Sequence, residues 1–223
     1  MCGRYVLKLL EILDEEFSIV HRTWNFQPSY NIAPTEPVPV VLDLDGVRTG
    51  MMMRWGLIPF FTRGEPPKYS TINATVERIE SGPSWRGPWK RGQRCILPAS
   101  GFYEWHVGPD GRKQPFYIHL ADREVFGFAG LWDRSVRPDG TAIDSCAIIT
   151  LPANDLMAEI HNSKKRMPAI LRREDVATWL SGPAPQARQV LTPYPADLMV
   201  AYRVSTRVNS PKNNDPQLIE PLA

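Results

Sequence analysis

With 223 residues, 43% of them hydrophobic and 22% charged, the chain has material for one large domain or two small ones and for a buried core. No apolar run reaches membrane-span length, and the amino-terminal stretch is too short and too soon acidic for a signal peptide. Three isolated cysteines (Cys2, Cys95, Cys146) and four scattered histidines exclude a disulfide framework and the usual metal motifs, and the net charge of +2 conceals local basic runs. A cytoplasmic or nucleoid-associated protein, with no membrane partner, is expected.

In chain order, the first feature is Met1-Cys2-Gly3-Arg4-Tyr5. Methionine aminopeptidase removes an initiator Met that precedes a small residue, which would leave Cys2 with a free α-amine and a thiol on adjacent carbons. Such an amine has a pKa of about 8 and attacks aldehydes; the thiol then adds to the imine and closes a five-membered thiazolidine. Gly3 leaves the backbone uncrowded, and Arg4 offers a fixed positive charge to an anionic group. The competing reading is that position 2 is Cys by chance.

Apolar residues at Leu9, Leu10, Leu13, Phe17 and Val20 predict an amphipathic helix over 6–20. A Pro-bounded loop follows at Tyr30-Asn31-Ile32-Ala33-Pro34-Thr35. Asp45-Gly46 between 38–44 and 47–55 is a hairpin signal, and two more Asp-Gly turns follow at 110–111 and 139–140. Residues 66–88 are dense in Gly and Pro, with a short helix predicted over 73–79. Two stretches are basic and free of acid: 86–94 (Arg86, Lys90, Arg91, Arg94) and 161–173 (Lys164, Lys165, Arg166, Arg172, Arg173). Each reads equally as a phosphate-binding patch or a solvated surface. Short helices are expected over 153–160 and 173–180, then an extended Asn- and Pro-rich tail from 204 to 223. With 22 prolines and no repeat or linker, one β-rich domain over 1–223 with mostly antiparallel pairing is expected.

Three polar residues stand in apolar or aromatic surroundings. Glu104, in Gly101-Phe102-Tyr103-Glu104-Trp105, reads either as a desolvated proton shuttle or as an outward-facing strand residue. His161, after a predicted helix and before a basic run, reads as an acid–base group or as a structural helix-end histidine. Asn73 either bonds a substrate or caps the helix predicted after it.

Together these residues resemble the SRAP family of abasic-site-processing proteins. The resemblance lies in ordered blocks: Met1-Cys2-Gly3-Arg4-Tyr5, Tyr30-Asn31-Ile32-Ala33-Pro34, Arg54-Trp55-Gly56-Leu57-Ile58-Pro59 and Ile72-Asn73-Ala74. It continues through Arg94-Cys95-Ile96-Leu97-Pro98, Gly101-Phe102-Tyr103-Glu104-Trp105, Ala129-Gly130-Leu131-Trp132, His161 with Arg166-Met167-Pro168-Ala169-Ile170-Leu171, and Val204-Ser205-Thr206-Arg207-Val208-Asn209. It implies a single α+β domain with a barrel-like antiparallel or mixed β core and short flanking helices. It implies covalent capture of abasic sites in single-stranded DNA, single-strand/duplex junctions included, by a monomer that needs no cofactor or metal. Cys2 carries over as nucleophile, Asn73 as the group positioning it, Glu104 as proton-transfer residue and His161 as acid–base catalyst. Arg4, Asn31, Pro34, Phe61, Thr150 and Arg166 carry over as DNA contacts.

The chain departs from the family pattern at Thr75, where relatives often have Arg, and at Phe60-Phe61, where some have a tryptophan wedge. Three extra residues before Arg166 place Lys164 and Lys165 near His161. Two rival functions use the same residues: a peptidase with Cys2 as amino-terminal nucleophile, and a non-covalent single-strand-binding module.

Overall fold

The computed structural model describes residues 2–222. The elements begin with β1 (Tyr5–Leu7), α1 (Leu13–Glu16), β2 (His21–Arg22), β3 (Ser29–Ile32), β4 (Pro37–Leu44), β5 (Val47–Trp55) and β6 (Asn73–Thr75). Then come α2 (Arg86–Lys90), β7 (Arg94–Ala99), β8 (Gly101–Val107), β9 (Lys113–Leu120), β10 (Phe126–Val136) and β11 (Ala142–Pro152). The chain finishes with α3 (Asp155–Ile160), β12 (Arg166–Pro168), β13 (Ile170–Leu171), α4 (Val176–Ser181), α5 (Ala184–Gln189) and β14 (Met199–Arg203).

Turn chemistry sets the first hairpin. Asp45 and Gly46 both take positive φ (53° and 82°), the type I′ pair whose twist matches the flanking strands, and Leu44 faces Val47 across it. The other two Asp-Gly turns close longer loops, with Val107 opposite Lys113 and Val136 opposite Ala142, and only their glycines have positive φ.

Five strands close on themselves. β5 pairs β4, β4 pairs β7, β7 pairs β10 and β10 pairs β11, all antiparallel; β11 then returns to β5 in parallel through Ser145–Arg54 and Cys146–Trp55. This ring is a mixed five-stranded barrel, and closure removes the unpaired edges an open sheet would expose. β6 and β12 extend it at the far end of β11, placing Asn73 beside Ile148 and Thr75 beside Thr150.

A second, wholly antiparallel sheet runs β14-β9-β8-β1-β3. Tyr5 joins the two layers: its ring meets Trp55 and Phe128 edge-on, at centroid distances of 5.3 and 5.9 Å. Most of the apolar side chains that fill the barrel and the space between the layers belong to one contiguous cluster. The result is a single α+β domain with few, short helices, as expected.

Two predicted helices are shorter or absent. Over 6–20 only Leu13–Glu16 is α-helical, because Tyr5–Leu7 is drawn into the second sheet between β3 and β8 and is buried throughout. Over 73–79, Asn73–Thr75 pairs with β11, and only a 3-10 turn, Val76–Arg78, follows. Pairing with strands remote in sequence, in the second sheet for β1 and in the barrel for β6, outweighs weak local helix propensity. The tail, expected to be extended, is mostly turns instead: two 3-10 turns, Thr206–Asn209 and Pro216–Ile219, each started by a side chain (Ser205, Asp215) that accepts from an amide two residues on. No helix among the described residues is long and apolar enough to cross a membrane.

Candidate active site

Pairing brings Cys2 to its neighbours. With β1 held between β3 and β8, Cys2 lies three residues before the strand and is fully buried. The Asn73 side-chain amide donates to the Cys2 carbonyl at 2.9 Å. Asn73 is itself fixed by β6 and by the preceding carbonyl of Ile72, which accepts from the Trp55 indole at 2.9 Å. Asn73 therefore caps no helix; it grips the backbone of residue 2. Its carbonyl oxygen Oδ1 is buried and has no hydrogen-bond donor among the described residues.

Glu104 is 2% exposed. The alternation of β8 would send its side chain to solvent if that face were bare, but α3 and the segment after it cover the face. Burial raises the Glu104 carboxyl above its ordinary value, opposed in part by the charge of His161, whose Nδ1 lies 3.9 Å from Oε1. Burial likewise pushes the Cys2 thiol up, and the Glu104 carboxylate, when ionised, pushes it further. The thiol points its weak S–H donor at the Arg4 carbonyl, 3.8 Å away.

His161 follows α3, whose first turn is capped by the Asn154 side chain accepting from the Met157 amide. Its Nδ1 lies 2.9 Å from the Arg166 carbonyl, which can only accept. Nδ1 therefore carries hydrogen, and in the neutral ring the lone pair is at Nε2. Asn162 sets the position of this corner with two bonds to Val107: it accepts from the amide at 3.0 Å and donates to the carbonyl at 2.9 Å. The sequence had given Asn162 no role; an amide side chain directly after His161 was the available signal. A cleft of ≈ 420 Å³ opens onto Glu104 and His161 and is walled by Trp105, Lys113, Lys164 and Asn209. Among the described residues, no group of three or more His, Cys, Asp or Glu side chains is arranged to hold a metal ion.

A family model described as "SOS response associated peptidase (SRAP)" matches residues 1–211. The chain belongs to the SRAP family. Its relatives include "Abasic site processing protein YoqW" of Bacillus subtilis, 40% identical over 99% of both chains, and "Abasic site processing protein HMCES" of Gallus gallus, 32% identical over 90% of this chain and 68% of that one. The crystal structure of a Bacteroides thetaiotaomicron protein superposes with a TM-score of 0.86 at 27% identity, covering both chains fully.

In this SRAP protein the remaining predicted residues are spread over several places. Thr150 and Arg166 lie beside the His161 corner: Arg166 donates to the Thr150 carbonyl at 2.6 Å and forks onto Glu77 at 2.7 and 3.0 Å. Arg4 and Asn31 are engaged internally. Arg4 donates to Asn31 Oδ1 (2.9 Å), the Val208 carbonyl (2.7 Å) and the Asn209 carbonyl (3.2 Å). The Asn31 amide donates to the carbonyls of Val208, Ser210 and Asn213. Pro34 is half-buried at the turn after β3.

Phe61 is 50% exposed, edge-on to Phe60, and the pair lines a mostly apolar groove with Pro83, Arg86, Lys90 and Arg91. Arg91 stacks over Phe60 at 5.0 Å and pairs with Asp133. The basic runs are partly structural: Arg94 is buried and donates to the Trp179 and Gly182 carbonyls, and Arg173 pairs with Glu16.

Proposed function

We propose that this protein captures abasic sites in single-stranded DNA by a covalent bond to Cys2, after removal of Met1. The observation that carries this reading is the convergence of Cys2, Asn73, Glu104 and His161 from four separate segments of the chain. The names of the YoqW and HMCES relatives support the substrate.

The opened sugar presents an aldehyde at C1′. The Cys2 amine adds to it and water leaves, giving an imine; the S–H then adds across the C=N bond, sulfur to carbon and proton to nitrogen, closing the thiazolidine. Only water is released. The amine leads because at an ordinary pKa of about 8 part of it is neutral, whereas burial disfavours the thiolate. Asn73 holds the Cys2 carbonyl and turns a buried, unpartnered Oδ1 to this neighbourhood, an acceptor suited to an amine hydrogen. Glu104, with its raised pKa, protonates the departing oxygen and recovers the proton later. His161, with Nδ1 committed to a carbonyl, exchanges protons at Nε2.

The test is a denaturing gel of the protein with a single-stranded oligonucleotide bearing one abasic site. A heat-stable adduct is expected. Cys2→Ala retains an amine but no thiol, so it should give only an imine that borohydride must trap. An equally heat-stable adduct from Cys2→Ala, or none from the native protein, overturns the reading; the latter leaves non-covalent binding or Cys2-dependent peptide cleavage to account for the site.

A further inference from the structure

The Arg166 guanidinium is held in the geometry of a phosphate receptor, and a carboxylate of the same chain fills it. Both Glu77 oxygens take the fork, Nη1 to Oε1 at 2.7 Å and Nη2 to Oε2 at 3.0 Å, the bidentate arrangement that a phosphodiester also satisfies. The two partners differ in freedom. The Arg166 side chain is 16% exposed and fastened by its bond to the Thr150 carbonyl, whereas Glu77 is 52% exposed, in a 3-10 turn. The buried Nε–H of Arg166 has no acceptor among the described residues, so Glu77 leaves the guanidinium incompletely satisfied.

The position fits a strand of DNA. Thr75 follows Asn73 by two residues on β6, so their side chains share a face ~7 Å apart. Asn73 grips Cys2, and Thr75 lies beside Thr150, whose carbonyl holds Arg166. The Arg166 fork thus stands within one nucleotide's reach of a sugar held at Cys2.

We propose that Glu77 is an intramolecular stand-in for a DNA phosphate, which the phosphate flanking the captured sugar must displace from Arg166. Glu77 therefore lowers affinity for single strands in general and sets a threshold that strands placing a phosphate at this point overcome. The inference rests on the DNA-binding reading above.

The experiment is a titration of a fluorescent single-stranded oligonucleotide without an abasic site, followed by anisotropy, with adduct formation on an abasic strand measured separately. Glu77→Gln keeps the shape and removes the charge, and should tighten binding about fivefold, the worth of one well-formed surface ion pair. Glu80→Gln removes the same charge three residues on, from a looser pair with Arg188 at 3.6 Å, and should change affinity by less than about twofold because exposed charges are screened. In an Arg166→Ala background Glu77→Gln should have no effect.

Unchanged or weaker binding by Glu77→Gln would mean that Glu77 only buttresses Arg166, and a gain that persists without Arg166 would mean general charge relief; each overturns the inference. If the native protein forms the adduct while Glu77→Gln binds no better, only this inference falls. If the native protein neither binds nor forms the adduct, both readings fall.

Discussion

At the scale of single residues, Glu104 has the most to do and the least solvent to do it in. Its carboxyl is raised by burial above the ordinary 4.5, with His161 opposing that shift from 3.9 Å. Linkage gives the sign for stability. Between the unfolded and folded values the folded protein binds the proton and the unfolded chain does not, so this group's contribution is fully present below pH 4.5 and is lost as pH rises through the folded value. Glu104→Gln has no charge to bury, so its stability advantage over the native protein should grow as pH rises from 4.5 toward neutrality, read as urea midpoints at several pH values. The same variant cannot cycle a proton. Capture should slow by roughly 10²–10⁴-fold and lose the pH limb that the carboxyl contributes. Superimposable rate–pH profiles would show Glu104 to be a packing residue alone.

At the scale of elements, the path of β8 decides whether Glu104 reaches His161, and that path depends on a missing side chain. A Cβ at Gly101 would lie 2.3 Å from the Tyr117 hydroxyl and 2.4 Å from the ring carbon that bears it. The ring is buried and hemmed in by Tyr103, His119 and Tyr202 at centroid distances of 5.5 to 5.8 Å, and its hydroxyl donates to the Ser100 carbonyl. Gly101→Ala should therefore destabilise the protein by about 1–3 kcal/mol, the range for overpacking, and move β8 against β9. A lowered urea midpoint together with slower capture under fully folded conditions is expected; an unchanged midpoint would mean that the sheet absorbs the methyl without strain.

The same elements explain what the sequence disclosed. Asp45-Gly46 was legible because a type I′ turn needs those residues locally. The strand at Tyr5–Leu7 was not, because its partners at Ile32 and Phe102 are remote in sequence and the local pattern of leucines was helical. Glu104 was ambiguous for a related reason: alternation tells which residues share a face, while only the packing of α3 tells that this face is covered. Cys2, Asn73 and His161 could be picked out through family-like blocks, but Glu77 and Asn162 gain meaning only from bonds to distant residues.

At the scale of the whole molecule, the two regions that flank the site from opposite ends of the described chain are tied through one side chain. Asn31, buried at the end of β3, donates to three carbonyls of the tail (Val208 at 3.3 Å, Ser210 at 3.0 Å, Asn213 at 2.8 Å) while its Oδ1 accepts from Arg4. Arg4 in turn reaches Val208 and Asn209, and Asn209 Oδ1 accepts from the Trp105 indole on the wall of the cleft. Cys2 is two residues from Arg4 and hands its S–H to the Arg4 carbonyl, so the tail, the cleft wall and the nucleophile share one network. Asn31→Ala removes the hub and leaves the buried Val208 carbonyl, the partly buried Ser210 and Asn213 carbonyls and the Arg4 guanidinium each short of a partner, for a loss of roughly 1–3 kcal/mol. That is less than the usual stability of a domain, so the variant should still fold, with a lower urea midpoint. Its tail should be cut faster by protease near 205–215, and its Cys2 should capture abasic DNA more slowly. Because Arg4 and Asn31 act in one network, Arg4→Ala added to Asn31→Ala should lower stability by clearly less than the sum of the two single losses. Strict additivity would mean that the two residues hold the tail independently, and the coupling between tail and nucleophile would have to be abandoned.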